Sequence, residues 1–197
     1  MKKWIVGAAT LGTILIVSLF FFQIQTIAPE ENEQFQQPLL EAIVQAREDV
    51  AAIDGLRDKG IEKWAIRLRI NQLTTGDVQS EEDLVAQAKQ AYAKRNDLLI
   101  VAEEVYDVDM SEIQIHTFIN EELEQVDDAF MEPIASAHGM SLEAFMFEWE
   151  YDHFAYNYAW REIGSQLEEE FPIQEGETTE EYNERLREEW RSKIEKM

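Results

Sequence analysis

Apolar residues recur every three or four positions along most of this chain, the spacing that puts one face of a helix against a core. Segment 39–53 aligns Leu40, Ile43, Val44, Val50 and Ala51, and Asp54-Gly55 stops it. Arg47 falls within that stripe, where its aliphatic stem is expected to pack while its charge reaches water. Segment 61–73 aligns Ile61, Trp64, Ala65 and Leu68, and Thr74-Thr75-Gly76 ends it. Ser80 with Asp83 resembles a capping box with the shorter acid and opens a long helix to about Tyr106, buried through Leu84, Ala88, Ala91, Leu98, Leu99, Ala102 and Val105. Ser111 with Gln114 fits the box better and opens a helix buried through Ile115, Ile119, Leu123, Val126 and Phe130. Pro133 should interrupt that helix, since its ring clashes with the preceding turn. A short helix at 133–138, stopped by Gly139, then leads to Ser141 as the next cap.

The helix that follows, 142–167, carries two apolar stripes. At about 100° per residue, Leu142, Phe145, Met146, Trp149, His153, Tyr156, Trp160, Ile163 and Leu167 fall on one side, and Phe147, Tyr151, Phe154 and Tyr158 roughly on the other. A surface helix needs only one such stripe. Burying each ring of the second stripe contributes roughly 1.5–3 kcal/mol, so some partner is expected to cover them. Helix 39–53 or the C-terminal helix is one candidate cover. The other is an extended apolar segment of a bound polypeptide, for which tyrosine offers broad contact area with a polar edge. The chain closes with a charged helix that Thr178 and Glu181 open and that holds Tyr182, Leu186, Trp190 and Ile194. No run alternates as a strand does, so the fold class is all-α.

The N-terminus changes the picture of location. Met1-Lys2-Lys3 precedes an uncharged, mostly apolar stretch at 4–22. That length is adequate for a membrane span, which needs about 20 residues, and long for the core of a cleaved signal. Pro29 directly after Ala28 is a poor cleavage context, so residues 1–28 are expected to stay as a single-pass signal-anchor. Lys2 and Lys3 keep the amino end cytoplasmic. The expected organisation is then anchor 1–28, polar linker 29–38, an extracytoplasmic helical domain 39–172, and a charged C-terminal helix in 173–197.

All 41 acidic residues lie at Glu30 or beyond, with 15 of the 17 basic ones, giving that part a net charge of −26. Such a field repels nucleic acid and anionic lipid and keeps a protein dispersed in salty or alkaline surroundings. Cysteine is absent, which excludes disulfides, thiolate metal sites and lipid attachment through a thiol. Glu150-x-x-His153 has the spacing used in di-iron bundles, but it occurs once and its two side chains diverge by about 60° on the helical wheel. Glu112 and His116 form no second matching pair. His153 therefore reads as a core histidine, and no metal or cofactor is expected. No spacing singles out a catalytic pair. His138, at a helix C-terminus, is placed where its cationic form suits the helix dipole.

The order of elements resembles a known module. Val50-Ala51-Ala52-Ile53-Asp54-Gly55 with Gly60-Ile61-Glu62-Lys63, then 98–104 (LLIVAEE), then Val108-Asp109-Met110-Ser111-Glu112, then 137–143 (AHGMSLE) are similar to successive motifs of the N-terminal chaperone domain of the SurA and PrsA extracytoplasmic foldases. The segment between Ile53 and Ile61 is longer than that family's tight turn, and the stretch after Ser141 is richer in aromatics. The resemblance implies the holding of unfolded secreted chains. Residues 173–197 are too few for the parvulin isomerase domain such foldases carry, so no isomerase activity, and no enzyme, is expected. The sequence thus points to a membrane-anchored, non-catalytic binder of unfolded polypeptide, with Phe147, Tyr151, Phe154 and Tyr158 as the candidate contact residues. The alternative is a structural or regulatory ectodomain docked on a fixed envelope partner.

Overall fold

The computed structural model describes residues 29–124 and 128–194, and among these the chain is helical with no strand. In order come α1 (Pro29–Ala51), α2 (Lys59–Thr75), α3 (Glu81–Tyr106), α4 (Glu112–Leu123), α5 (Asp128–Ala137), α6 (Leu142–Ala144), a π-turn (Phe145–Trp149), α7 (Tyr151–Glu170) and α8 (Thr179–Ser192). The expected anchor at 4–22 lies outside the described residues. Among the described residues no helix is long and apolar enough to cross a membrane.

The contacts divide the chain into two compact units, one formed by residues up to Lys89 with Pro133–Gly139, the other by Gln90–Glu132 with Met140 onward. In the first unit, α1 packs along α2. Ala42, Ile43, Ala46 and Val50 are its buried apolar positions, and Trp64, Ala65, Ile66 and Ile70 those of α2, which also buries Arg69 and Gln72. The expected stripe is thus rotated: Val44 is exposed, while Ala42 and Ala46 are inside. The stretch 29–38, expected as a linker, is helical and continuous with α1. Its Glu- and Gln-rich run favours helix, Pro29 suits a first-turn position, and Pro38 is carried inside the helix despite the hydrogen bond it forgoes and the crowding of its ring. Asp58 caps α2, accepting from the amides of Gly60 at 2.9 Å and Ile61 at 3.0 Å.

Arg47 is half-buried and has a partner within the protein. Its Nη1 donates to the Ala137 carbonyl at 2.7 Å, at the C-terminal end of α5, where a cation meets the negative end of the helix. The guanidinium lies so close to Gly139, whose φ is +72°, that a Cβ there would sit 2.8 Å from Nη2. His138 beside it is buried, and its pKa is pushed down to about 3 by burial and by the positive charges of Arg47 and Arg67. Although a helix C-terminus suits a cationic histidine, Arg47 occupies that place, and burial with the two arginines keeps His138 neutral.

The caps also redistribute. Ser80 accepts from the Asp83 amide at 3.2 Å, as its spacing suggests. Ser111 makes no side-chain cap. Asp109 instead accepts from the Ser111 amide at 3.0 Å, turning the chain before α4. The helix expected over 111–132 ends at Leu123. Glu121, Glu122 and Glu124 crowd negative charge onto a helix C-terminus, which the dipole disfavours, whereas Asp128 suits the start of a new one. Pro133 lies inside α5 rather than ending a helix before it.

Candidate functional site

Ser141 caps the aromatic helix, accepting from the Ala144 amide at 3.1 Å. The helix is not uniform. The Glu150 amide donates to the Phe145 carbonyl at 2.9 Å, five residues back, closing a π-turn. One extra residue in that turn rotates everything after it by about 100° relative to an unbroken α-helix. Phe145 and Met146 are buried, but Trp149 and His153, expected on the same stripe, are half-buried. Beyond the turn the buried face of α7 runs through Ala155, Tyr158, Ala159, Ile163 and Leu167. Tyr158, read as part of the second stripe, is thus a core residue, 6% exposed.

Two helices of the same unit flank this one. On the flank of Tyr156 and Trp160 lies α8. The Trp190 indole stacks on Tyr156 at 4.9 Å between centroids and on Trp160 at 5.9 Å. Arg95 closes that stack over Tyr156 at 4.0 Å, and Arg187 over Trp160 at 5.1 Å. The capping box of α8 forms as the sequence indicates, the Glu181 amide donating to Thr178 Oγ1 at 3.2 Å and the Thr178 amide to Glu181 Oε2 at 2.9 Å. Arg185 fixes the approach to α8 by donating from Nε and Nη2 to the two carboxylate oxygens of Glu177, each at 2.8 Å.

On the flank of the candidate rings lies α4. The ring contacts of α8, one of the helices expected as cover, fall instead on Tyr156 and Trp160. The His116 ring meets Phe147 edge-on at 5.2 Å and Tyr151 at 5.9 Å. Phe118 meets Phe154 at 6.2 Å and Tyr158 at 5.8 Å. The structure therefore gathers all four candidate residues along one helix, with Tyr158 sealed and Phe147, Tyr151 and Phe154 half-buried.

The two ends of the row differ. At the Tyr158 end, the Arg161 guanidinium lies 4.6 Å from the Phe118 ring centroid and 5.4 Å from that of Tyr158. Glu121 and Glu162 hold it at 3.0 Å and 3.1 Å. At the Phe147 end, His116 Nε2 is 3.6 Å from Glu112. Burial, reinforced by the charge of Glu112, pushes the Tyr151 phenol above its ordinary pKa. Burial, reinforced by Glu162 and Asp109, does the same for Tyr158. Both phenols stay neutral near pH 7, so the row presents aromatic faces and hydroxyls rather than charge.

Sequence reasoning gave no role to His116, Phe118 or Arg161. The adjacent pair Phe118-Ile119 was the available signal: two neighbouring apolar residues on a helix serve two different faces. Among the described residues no group of three or more His, Asp or Glu side chains is arranged to hold a metal ion. No family model, curated protein or solved structure matches the chain.

Proposed function

We propose that this protein is a non-catalytic, chaperone-like binder of unfolded or extended polypeptide, held at the outer face of a membrane by residues 4–22 with its amino end in the cytoplasm. The observation that carries the reading is the row Phe147, Tyr151 and Phe154. These large rings are fixed by His116 and Phe118 on one side and half-buried rather than sealed. A rigid aromatic row offers contact area at low entropic cost to a chain of any sequence that brings apolar side chains to it. The likeness of the chain's motifs to the SurA and PrsA chaperone domain supports the same class of partner.

A permanently docked structural or regulatory ectodomain is the second reading. It is favoured by the sealing of Tyr158 under Phe118 and Arg161, which makes part of the row indistinguishable from a core. A photo-crosslinking experiment separates the two. A benzophenone amino acid replaces Tyr151 in one preparation of the full chain and Ile173, which is 57% exposed and outside the row, in another. Capture of a denatured model protein from position 151, without capture of its native form and without capture from 173, supports client binding. Equal capture from both positions, or none from 151, removes it.

A further inference from the structure

The ring row sits in a part of the chain with an extreme charge pattern. Between Arg95 and Arg161 there is no lysine or arginine at all, while the same stretch holds 16 aspartates and glutamates. Both surfaces that make the row, α4 with its lead-in and the π-turn with the first turns of α7, come from it. Arg161 marks its end, and that cation is already neutralised by Glu121 and Glu162. At the other end the Glu112 side chain is 76% exposed, one helical turn from the His116 that borders Phe147 and Tyr151. Asp109, on the turn before α4, is exposed as well and lies toward the Tyr158 end, close enough for its charge to act on that phenol.

We infer that the row selects cationic apolar segments: extended polypeptide in which lysine or arginine alternates with aromatic or aliphatic side chains. The inference rests on the proposed client binding and names the class of client. In an extended segment successive side chains point to opposite sides, so apolar residues spaced by two lie on the rings while the residues between them project toward the rim. A rim of carboxylates attracts lysine and arginine there and repels aspartate and glutamate. Lysine stems also lie well along aromatic faces, with their charge at the edge. An acidic segment of equal apolar content meets a field of its own sign and is rejected, which is how one surface discriminates between partners of similar apolar content.

The test uses the full chain and two synthetic peptides identical except that one alternates apolar residues with lysine and the other with glutamate. The lysine peptide is expected to bind about tenfold or more tightly than the glutamate peptide, a gap that narrows as salt screens the rim. Neutralising the rim with Glu112→Gln and Asp109→Asn is expected to reduce that preference severalfold. The same number of charges removed elsewhere, with Glu81→Gln and Glu82→Gln, should leave it in place. Equal binding of the two peptides overturns the charge selection while leaving client binding intact. Binding of neither peptide overturns both. A preference lost equally in the two sets of variants overturns the local rim, because net charge alone then accounts for it. The substitutions are on exposed side chains, and unchanged melting curves show that the comparison is between folded proteins.

Discussion

The Trp190 indole lies stacked on the Tyr156 ring, centroids 4.9 Å apart and planes 17° from parallel. With Trp190 0% exposed, this contact joins the C-terminal helix to the unit that carries the ring row. Trp190→Ala should destabilise that unit by about 3–5 kcal/mol, through lost transfer energy and the cavity left behind. Trp190→Phe should cost much less, since it keeps a ring in the stack and removes an indole Nε1 that has no hydrogen-bond partner among the described residues. Denaturant melts of the two variants check the order. Equal small losses would show that α8 is not held by this ring.

Gly139 is a different kind of constraint. Its φ of +72° disfavours any side chain, and a Cβ would meet the Arg47 guanidinium at 2.8 Å. Moving that guanidinium breaks its bond to the Ala137 carbonyl. Gly139→Ala is expected to cost about 1–3 kcal/mol, and Gly55→Ala, with φ +83° but open space around it, about 1 kcal/mol. Urea titrations of both variants measure the difference, which isolates the close approach from the backbone strain.

His138 gives the fold a defined response to acid. Its pKa is about 3 in the folded protein, against an ordinary value near 6.5. Between those values the unfolded chain binds a proton that the native one does not, so stability falls as pH drops through that window. His138→Gln should flatten the dependence on pH between about 6.5 and 4, relative to the parent protein. Chemical denaturation across that range checks it. Identical slopes would mean that the acid sensitivity comes from carboxylates alone.

The helical class, the order of segments and several caps were legible in the sequence because they depend on neighbours three or four residues away. The Thr178 and Glu181 box and the Ser141 cap are of this kind. The π-turn was not legible. Phe145–Trp149 contains no proline or glycine to mark it, and a single inserted residue invalidates any face drawn through it on a uniform wheel. Hence Tyr158 moved into the core while Trp149 and His153 became half-buried. The partner of each flank was equally hidden, because a stripe states that something covers it and not what. Arg47 looked like a solvated interruption until the Ala137 carbonyl, 90 residues away, supplied its acceptor.

The most direct test is the double variant Phe147→Ala and Tyr151→Ala, compared with the parent for suppression of aggregation of a denatured model protein and for melting temperature. Rings that are half-buried should cost less to truncate than the sealed Phe145, whose Phe→Ala change is expected to cost about 3–5 kcal/mol. The expected result is loss of the protective activity with a melting temperature lowered by only a few degrees. A variant that unfolds outright, or one that folds and protects as well as the parent, would contradict the assignment of this aromatic row as the binding surface.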